Sequence, residues 1–323
     1  MEGTATVVKH TGSHYLLASL PEWELFPAVL RGNLRLAGST ATNPVAVGDR
    51  VEYYAEAEIT PEHPAVIKRI FPRSNYIIRK SVNLSRQAHI IAANLDRAYL
   101  IVTLAFPEVK MQFLDRLLVT CELYGVKPVI VLNKCDILDE FAEDFADLRE
   151  RFHQIYEGAG YEIIEVSATA GSGIGELLQS CTAPTEEGTP PVILFSGVSG
   201  VGKSSLIKAL DPDLNPRTAE ISNVHLQGRH TTTFYEMYPL RGGEAFVIDT
   251  PGIRGFGLVD VEADEIARYF PEMLRLSQDC RFTPCTHVHE PGCAVKEAVE
   301  QGIMSQERYN SYLGMLDEYK KYR

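Results

Sequence analysis

The chain has 323 residues, of which 45% are hydrophobic and 23% charged, and its 31 basic and 43 acidic side chains give a net charge of −12. This composition is ordinary for globular proteins and excludes a wholly disordered, collagen-like or coiled-coil chain. The length predicts two or three domains, and the acidic balance excludes indiscriminate attraction to a phosphate backbone.

The sequence predicts a cytoplasmic protein with no membrane partner. No stretch approaches the about 20 apolar residues that span a bilayer, and residues 1–17 lack the basic start and apolar core of a secretory signal. Six cysteines are too few for a disulfide scaffold of this length, and a cytoplasmic setting keeps them reduced.

The first 72 residues contain short β-rich runs separated by turn-prone pieces. The runs are 4–8, 15–18, 28–34, 51–54 and 65–70. Five strands at this spacing predict an all-β, OB-like barrel, although other small barrels fit the same pattern. The basic residues that follow, with no acid among them, are Lys68, Arg69, Arg73, Arg79, Lys80 and Arg86. Such a run is usually a solvated face.

After about residue 97, apolar runs alternate with amphipathic segments of helical length. The apolar runs are 98–104, 128–132, 161–166 and 192–195, and the predicted helices are 111–124, 138–156 and 174–180. This alternation predicts an α/β unit with parallel strands covered by helices. Two further β runs, 234–238 and 244–248, precede a helical pattern that starts near residue 261. The predicted domains are a barrel (1–72), an α/β domain (73–258) and a helical domain (259–323).

A phosphate-binding loop is predicted after the apolar run 192–195. The sequence Gly197-Val198-Ser199-Gly200-Val201-Gly202-Lys203-Ser204 has the P-loop spacing and leads into a helix-like segment that starts at Ser205. Backbone N–H groups of such a loop converge on phosphate oxygens at a helix N-terminus. Lys203 is expected to reach the β and γ phosphates, and the Ser204 hydroxyl is expected to ligate Mg²⁺.

A second phosphate-facing segment is Asp249-Thr250-Pro251-Gly252, at the end of the run 244–248. Asp249 can hold Mg²⁺ through its water shell, and the Gly252 N–H can sense the γ-phosphate. Alone this sequence would indicate a surface turn, but beside a P-loop it indicates a nucleotide switch.

The base is predicted to be guanine because of Asn133-Lys134-Cys135-Asp136, which ends the run 128–132. The Asp136 carboxylate can accept hydrogen bonds from the guanine ring N–H and amine, whereas adenine would leave it unpaired at a high cost. Lys134 can cover the ring, and Asn133 can brace the loops. Ser167 and Ala168 can supply a backbone N–H to guanine O6.

A zinc site is predicted from Cys280, Cys285, His287 and Cys293, which form a soft tetrahedral donor set within fourteen residues. Four protein ligands leave no open position, so the metal is expected to be structural and to stabilise a small helical domain. His289 is a rival ligand because it too lies between Cys285 and Cys293.

The nucleotide motifs follow a permuted order, since the base-reading motifs precede the P-loop. We place the join between the old termini in the polar stretch 182–189. This order, the barrel and the cysteine cluster together resemble the ribosome small-subunit-dependent GTPase A family over essentially the whole chain. The motif at residues 228–233 also matches. The resemblance selects His287 as the zinc ligand, and it implies a monomeric maturation factor that binds rRNA of the small (30S) subunit and hydrolyses GTP under its stimulation.

The switch residues are less specified than the binding loops. One threonine before the run 234–238 is expected to reach Mg²⁺ and the γ-phosphate; we favour Thr232, with Thr231 not excluded. The glutamine that positions water in many GTPases is Ile253 here, so we assign that role to His230. Two alternatives remain: a nucleotide-gated binding module whose turnover is incidental, and an assembly or metal-delivery GTPase with a protein client.

Overall fold

The computed structural model describes residues 1–11, 14–30, 45–80, 88–214, 235–250 and 261–321. Its first five strands form a closed barrel: β1 (Glu2–His10), β2 (His14–Ser19), β3 (Glu24–Leu30), β4 (Arg50–Tyr54) and β5 (Ala65–Ile70). Neighbours pair in the order β1-β2-β3-β5-β4, and β4 pairs back onto β1. Alternate apolar side chains such as Val7, Leu17 and Ile67 fill the interior. The predicted OB-like barrel is confirmed.

Two side chains of the predicted basic run, Lys68 and Arg73, bind acidic partners within the barrel region. Lys68 contacts Glu2 at 2.9 Å and Glu52 at 3.7 Å. Arg73 binds the buried Asp49 carboxylate at 2.6 Å. Arg69 lies in β5, and Arg79 and Lys80 lie in β6 (Tyr76–Lys80), which pairs with β7 (Ala88–Ala93) in a two-stranded sheet that the sequence pattern did not predict. Arg86 lies outside the described residues.

Six strands at the centre of the molecule form part of an 11-stranded sheet that continues into the barrel. They are β8 (Arg97–Val102), β9 (Lys127–Leu132), β10 (Glu162–Glu165), β11 (Val192–Ser196), β12 (Glu236–Leu240) and β13 (Ala245–Asp249), and β12 pairs with β1 of the barrel. The spatial order is β10-β9-β8-β11-β13-β12, and only β12 is antiparallel to its neighbour. The parallel strands are apolar on both faces because helices cover them.

Five helices accompany this sheet: α1 (Met111–Tyr124), α2 (Cys135–Glu140), α3 (Ala142–Ala159), α4 (Ile174–Thr182) and α5 (Lys203–Leu210). The predicted helix 138–156 is in fact two helices that meet at Phe141. The predicted join lies between α4 and β11, where the connection turns back on itself and Thr189 accepts a hydrogen bond from the Thr185 N–H at 3.0 Å. The chain thus runs from the edge strand β10 through α4 and this connection to the central strand β11.

The C-terminal helical unit, residues 261–321, has its own apolar core. It contains a 3-10 helix (Ala263–Tyr269), α6 (Pro271–Leu276), α7 (Ala294–Glu300) and α8 (Gln306–Lys321). Buried Ile266, Phe270 and Met273 pack with side chains of α7 and α8, and Val119 of α1 joins the cluster. The unit is therefore docked on α1 by apolar packing. Within the described ranges, none of the helices combines the length and apolar character needed to cross a bilayer.

Candidate functional site

The predicted phosphate loop lies between the end of β11 and the start of α5. Gly202 occupies the left-handed region at φ 92°, and a Cβ there would lie 2.4 Å from Asn133 Nδ2. Only glycine meets both conditions without strain. The loop therefore closes tightly, and the free N–H groups at the start of α5 form an anion-binding end.

The side chains of Lys203 and Asp249 are in direct ionic contact. Lys203 is the first residue of α5, and Asp249 is the last residue of β13, the parallel neighbour of β11. Thr250 fixes this edge because its buried hydroxyl donates to the Phe195 carbonyl at 2.8 Å. The structure thus brings two predicted phosphate-facing motifs to one edge of the sheet. His230, Thr232, Gly252 and Ile253 lie outside the described residues.

Asn133 joins the base-reading loop to the phosphate loop. Its buried side-chain amide donates to the Val201 carbonyl at 2.7 Å, 68 positions along the chain. Its Oδ1 accepts a 3.3 Å hydrogen bond from the Ala168 N–H. One side chain therefore holds three predicted motifs in a single site. Five residues after the third motif, Gly173 lets α4 start against β10, since a Cβ there would lie 2.0 Å from the Glu165 carbonyl oxygen.

The Asp136 carboxylate has the geometry expected of a base reader. Its Oδ1 is buried and has no hydrogen-bond partner among the described residues. A buried acceptor without a partner costs about 1–3 kcal/mol, and a guanine N–H would remove that cost. Neighbouring Cys135 is inert packing, because burial raises the pKa of its thiol to about 12.

A loop at residues 103–110, between β8 and α1, also reaches the site, although the sequence analysis did not identify it. The Lys134 ammonium donates to the Phe106 carbonyl. Pro107 Cδ lies 3.5 Å from the position that a Gly200 Cβ would occupy. The signal available in the sequence was its place, directly after a buried parallel strand, because ligands bind where such strands end.

The four predicted zinc ligands form a cluster in the C-terminal helical unit. Their ligand atoms all lie within 4.8 Å of one another. Cys280 Sγ is 4.0 Å from Cys293 Sγ and 3.6 Å from His287 Nδ1. A tetrahedron with Zn–S bonds of about 2.3 Å has edges of about 3.8 Å, so the cluster fits a tetrahedral metal. His287 is buried and belongs to it, whereas the rival His289 is exposed.

Surrounding groups orient this cluster. The Tyr309 hydroxyl donates to the His287 carbonyl at 2.6 Å, and Tyr312 donates to the Thr286 carbonyl at 2.7 Å. Burial lowers the pKa of His287, which favours the neutral imidazole that binds metals. The Glu290 carboxylate accepts hydrogen bonds from the Thr286 hydroxyl and N–H at 2.7 and 2.9 Å. These hydrogen bonds hold the pKa of Glu290 well below its usual range, and the bond from the Thr286 hydroxyl has the largest effect.

Comparison with known proteins places the chain in a family. The sequence model of the RsgA GTPase family matches residues 70–259. The chain is 46% identical over 319 residues, 98% of each chain, to a Bacteroides fragilis protein named small ribosomal subunit biogenesis GTPase RsgA. A Flavobacterium psychrophilum protein of the same name is 45% identical over 97% of this chain and 92% of its own length.

Solved structures agree with this assignment. The crystal structure of YjeQ from Thermotoga maritima is 31% identical and superposes with a TM-score of 0.76 over the whole of both chains. YloQ, described as a circularly permuted GTPase, shows the same fold at 24% identity, with a TM-score of 0.72 over 100% of this chain and 96% of its own. The predicted permuted fold is confirmed, and the chain belongs to the RsgA GTPase family.

Proposed function

We propose that this protein hydrolyses GTP to GDP and phosphate as a late maturation factor of the small (30S) ribosomal subunit. The observation that carries the nucleotide part is the buried Asp136 Oδ1, which has no hydrogen-bond partner among the described residues and lies in the loop that Asn133 joins to the phosphate loop. The ribosomal part is supported by the relatives named for small-subunit biogenesis, which align over nearly the full chain.

Within this proposal, each predicted residue has one task. Asp136 reads the guanine edge and Lys134 covers the ring. The backbone N–H groups of Ser167 and Ala168 donate to the Ser172 carbonyl and to Asn133 Oδ1 in this structure, so one of them exchanges its partner for guanine O6 when nucleotide binds. The phosphates lie against the backbone of residues 197–202, with Ser204 and Ser205 at the first turn of α5. Lys203 exchanges its Asp249 partner for a phosphate when nucleotide binds. His230 orients the attacking water, and the Gly252 N–H senses the γ-phosphate.

Two metal ions belong to the proposal. Mg²⁺ would be held by Ser204, Asp249 and Thr232, and it would neutralise charge that develops on the phosphates. Zn²⁺ would be held by Cys280, Cys285, His287 and Cys293 as a structural ion. The donor set supports zinc because three thiolates and one imidazole are soft ligands that favour tetrahedral coordination.

The proposed partner is the small subunit, through its rRNA and ribosomal proteins, and the proposed compartment is the cytoplasm. Lys68, Arg69 and Arg73 all have an acidic partner, but the Arg69 side chain is 63% exposed and lies 4.0 Å from Glu52, whereas the side chains of Lys68 and Arg73 are 32% and 12% exposed. The Arg69 guanidinium lies 4.8 Å from the Phe71 ring centroid. We propose this pair as the barrel's RNA contact. The monomeric state and the domain limits at residues 72 and 258 remain predictions.

The test is multiple-turnover hydrolysis of GTP and ATP with and without purified small subunits. Strong stimulation of GTP turnover alone supports the proposal. Tight GTP-dependent binding to subunits without turnover supports the nucleotide-gated module instead, and indifference to subunits supports a GTPase with a protein client. Equal turnover of ATP and GTP contradicts the assignment of Asp136.

A further inference from the structure

A fully buried arginine lies where the C-terminal helical unit meets the central sheet and its helices. Arg308 of α8 is 1% exposed. Its guanidinium donates to both carboxylate oxygens of Glu272 in α6, at 2.7 and 3.1 Å. It also donates to Asp115 Oδ1 in α1 at 2.9 Å. One side chain therefore joins helices from both parts of the molecule.

Aromatic side chains enclose this ion cluster. The guanidinium lies 4.6 Å from the Phe270 ring centroid and 5.4 Å from that of Tyr161. The Tyr156 hydroxyl donates to Asp115 Oδ1 at 3.0 Å. A buried ion cluster contributes little more net stability than apolar side chains of the same volume. What it adds is a defined orientation, since a planar guanidinium binds carboxylates only in certain directions.

Asp115 lies near the nucleotide site along the chain. It is the fifth residue of α1, which directly follows the loop at residues 103–110. That loop contacts the base-reading motif through Lys134 and the Phe106 carbonyl, and it packs Pro107 beside Gly200 of the phosphate loop. A shift of the first turns of α1 would therefore move the groups that hold Lys134 and the phosphate loop.

We propose that Arg308 is a positioning residue for the nucleotide site: through Asp115 it fixes the start of α1 and the 103–110 loop, so that GDP retention depends on the docking of the C-terminal helical unit. The inference rests on the nucleotide binding of the proposed function. It adds a route between the C-terminal unit and the nucleotide that does not pass through the switch segments.

The test compares GDP release from the parent chain and three variants, measured with a fluorescent GDP analogue. Arg308→Lys keeps the charge but loses the planar fork that binds both Glu272 oxygens and Asp115 at once. Asp115→Asn keeps the shape and weakens the same contact. Arg151→Gln is the matched control, because it removes the bidentate pair with Glu307 (2.8 to 3.0 Å) that joins α8 to α3 and not to α1.

We expect Arg308→Lys and Asp115→Asn each to release GDP about 2- to 30-fold faster than the parent. A chain that carries both changes should release GDP no faster than the faster of the two single variants, because both changes break the same contact. The control should match the parent. Unchanged release in Arg308→Lys, or an equal effect in Arg151→Gln, overturns the proposal. Glu272→Gln, which loosens Arg308 within its own unit, replaces Arg308→Lys if that variant does not fold. A parent that fails to bind GDP contradicts the proposed function itself.

Discussion

The indole ring of Trp23 stacks on the phenyl ring of Phe246, with ring centroids 5.4 Å apart and ring planes at 18°. Trp23 lies between β2 and β3 of the barrel, and Phe246 lies in β13 of the central sheet. The pair is therefore a direct side-chain contact between the barrel and the central strands. Because Trp23 is the only tryptophan of the chain, its fluorescence reports on this contact.

We expect Trp23→Ala to lower the free energy of unfolding by about 1–2 kcal/mol, because it removes a stacked aromatic pair and its buried area. Trp23→Phe should retain most of the stability, since a phenyl ring can still stack. Urea denaturation followed by circular dichroism measures both. If the alanine variant is as stable as the parent, the ring contact contributes nothing to the folded state.

Asp136→Asn should weaken GDP binding at least about 100-fold, because an amide replaces the acceptor that reads guanine and leaves mismatched donors in the site. The same variant should gain affinity for xanthosine diphosphate, because the carbonyl oxygen at C2, which replaces the guanine amine, accepts a hydrogen bond from the new amide. Asp139→Asn, three residues on in the same helix, removes an exposed contact with Arg149 and serves as the control. Calorimetry with each nucleotide would reveal an unaltered preference if the assignment were wrong.

The proposed zinc site predicts that His287→Ala binds far less zinc than the parent chain and has a less stable C-terminal helical unit, because the change removes a buried ligand. His289→Ala should retain full zinc and parent stability, since that side chain is exposed. Metal release with a colorimetric chelator and limited proteolysis measure the two effects. Equal zinc in both variants would refute the ligand set.

His153 should make stability fall as the pH rises through neutrality. Burial alone would lower its pKa, but hydrogen bonds to Glu157 and Glu165, at 2.8 and 2.7 Å, outweigh burial and raise it. When folding raises the pKa of a histidine, the protonated side chain adds to the free energy of unfolding. This contribution is complete at pH values below the pKa of the unfolded chain, about 6.5. It is lost as the pH rises through the higher pKa of the folded chain.

The Arg149 hydrogen bond lowers the pKa of Glu165, so that carboxylate stays ionised throughout the window. We therefore expect a parent melting temperature that declines more steeply above about pH 6.5 than that of His153→Gln. The exposed His63→Gln variant should follow the parent. Parallel curves for the parent and His153→Gln would contradict the expected contribution of this histidine.

His230→Ala should lose most of the turnover that small subunits stimulate, with GDP binding unchanged, because its proposed task is to orient water and not to hold the nucleotide. Single-turnover hydrolysis with subunits, together with GDP affinity, separates these two effects. If the His230→Ala variant hydrolyses GTP with subunits as fast as the parent does, a group other than His230 orients the attacking water.

Local patterns predicted most of the secondary structure. Helix α1 begins and ends where its amphipathic pattern does, at Met111 and Tyr124. The break at Phe141 was missed because apolar spacing continues through it. The hairpin β6–β7 was missed because its basic residues were interpreted as a solvated face. Both errors arise where side-chain composition obscures a backbone change that tertiary contacts impose.

Contacts between segments that are distant in the sequence limited how much of the site could be predicted. The P-loop and base-reading motifs have fixed spacings, so the sequence located them. The neutralisation of Lys68 by Glu2 and the Arg308 cluster depend on pairings across the fold that no spacing encodes. A hint existed in Asp115, an acidic residue on the otherwise apolar face of α1, which is unusual unless a buried partner exists.

The barrel is joined to the central strands by strand pairing and not only by the polypeptide that connects them. Its first strand, β1, pairs with β12 at Lys9 and Glu236, and the two side chains form a 2.9 Å ion pair. β12 (Glu236–Leu240) is also the strand that follows residues 215–234, which contain His230 and Thr232, the residues we propose as switch residues. A partner that binds the barrel therefore also constrains β12, the strand that borders the proposed switch segment. Any rotation of the barrel would be transmitted to β12 through its pairing with β1.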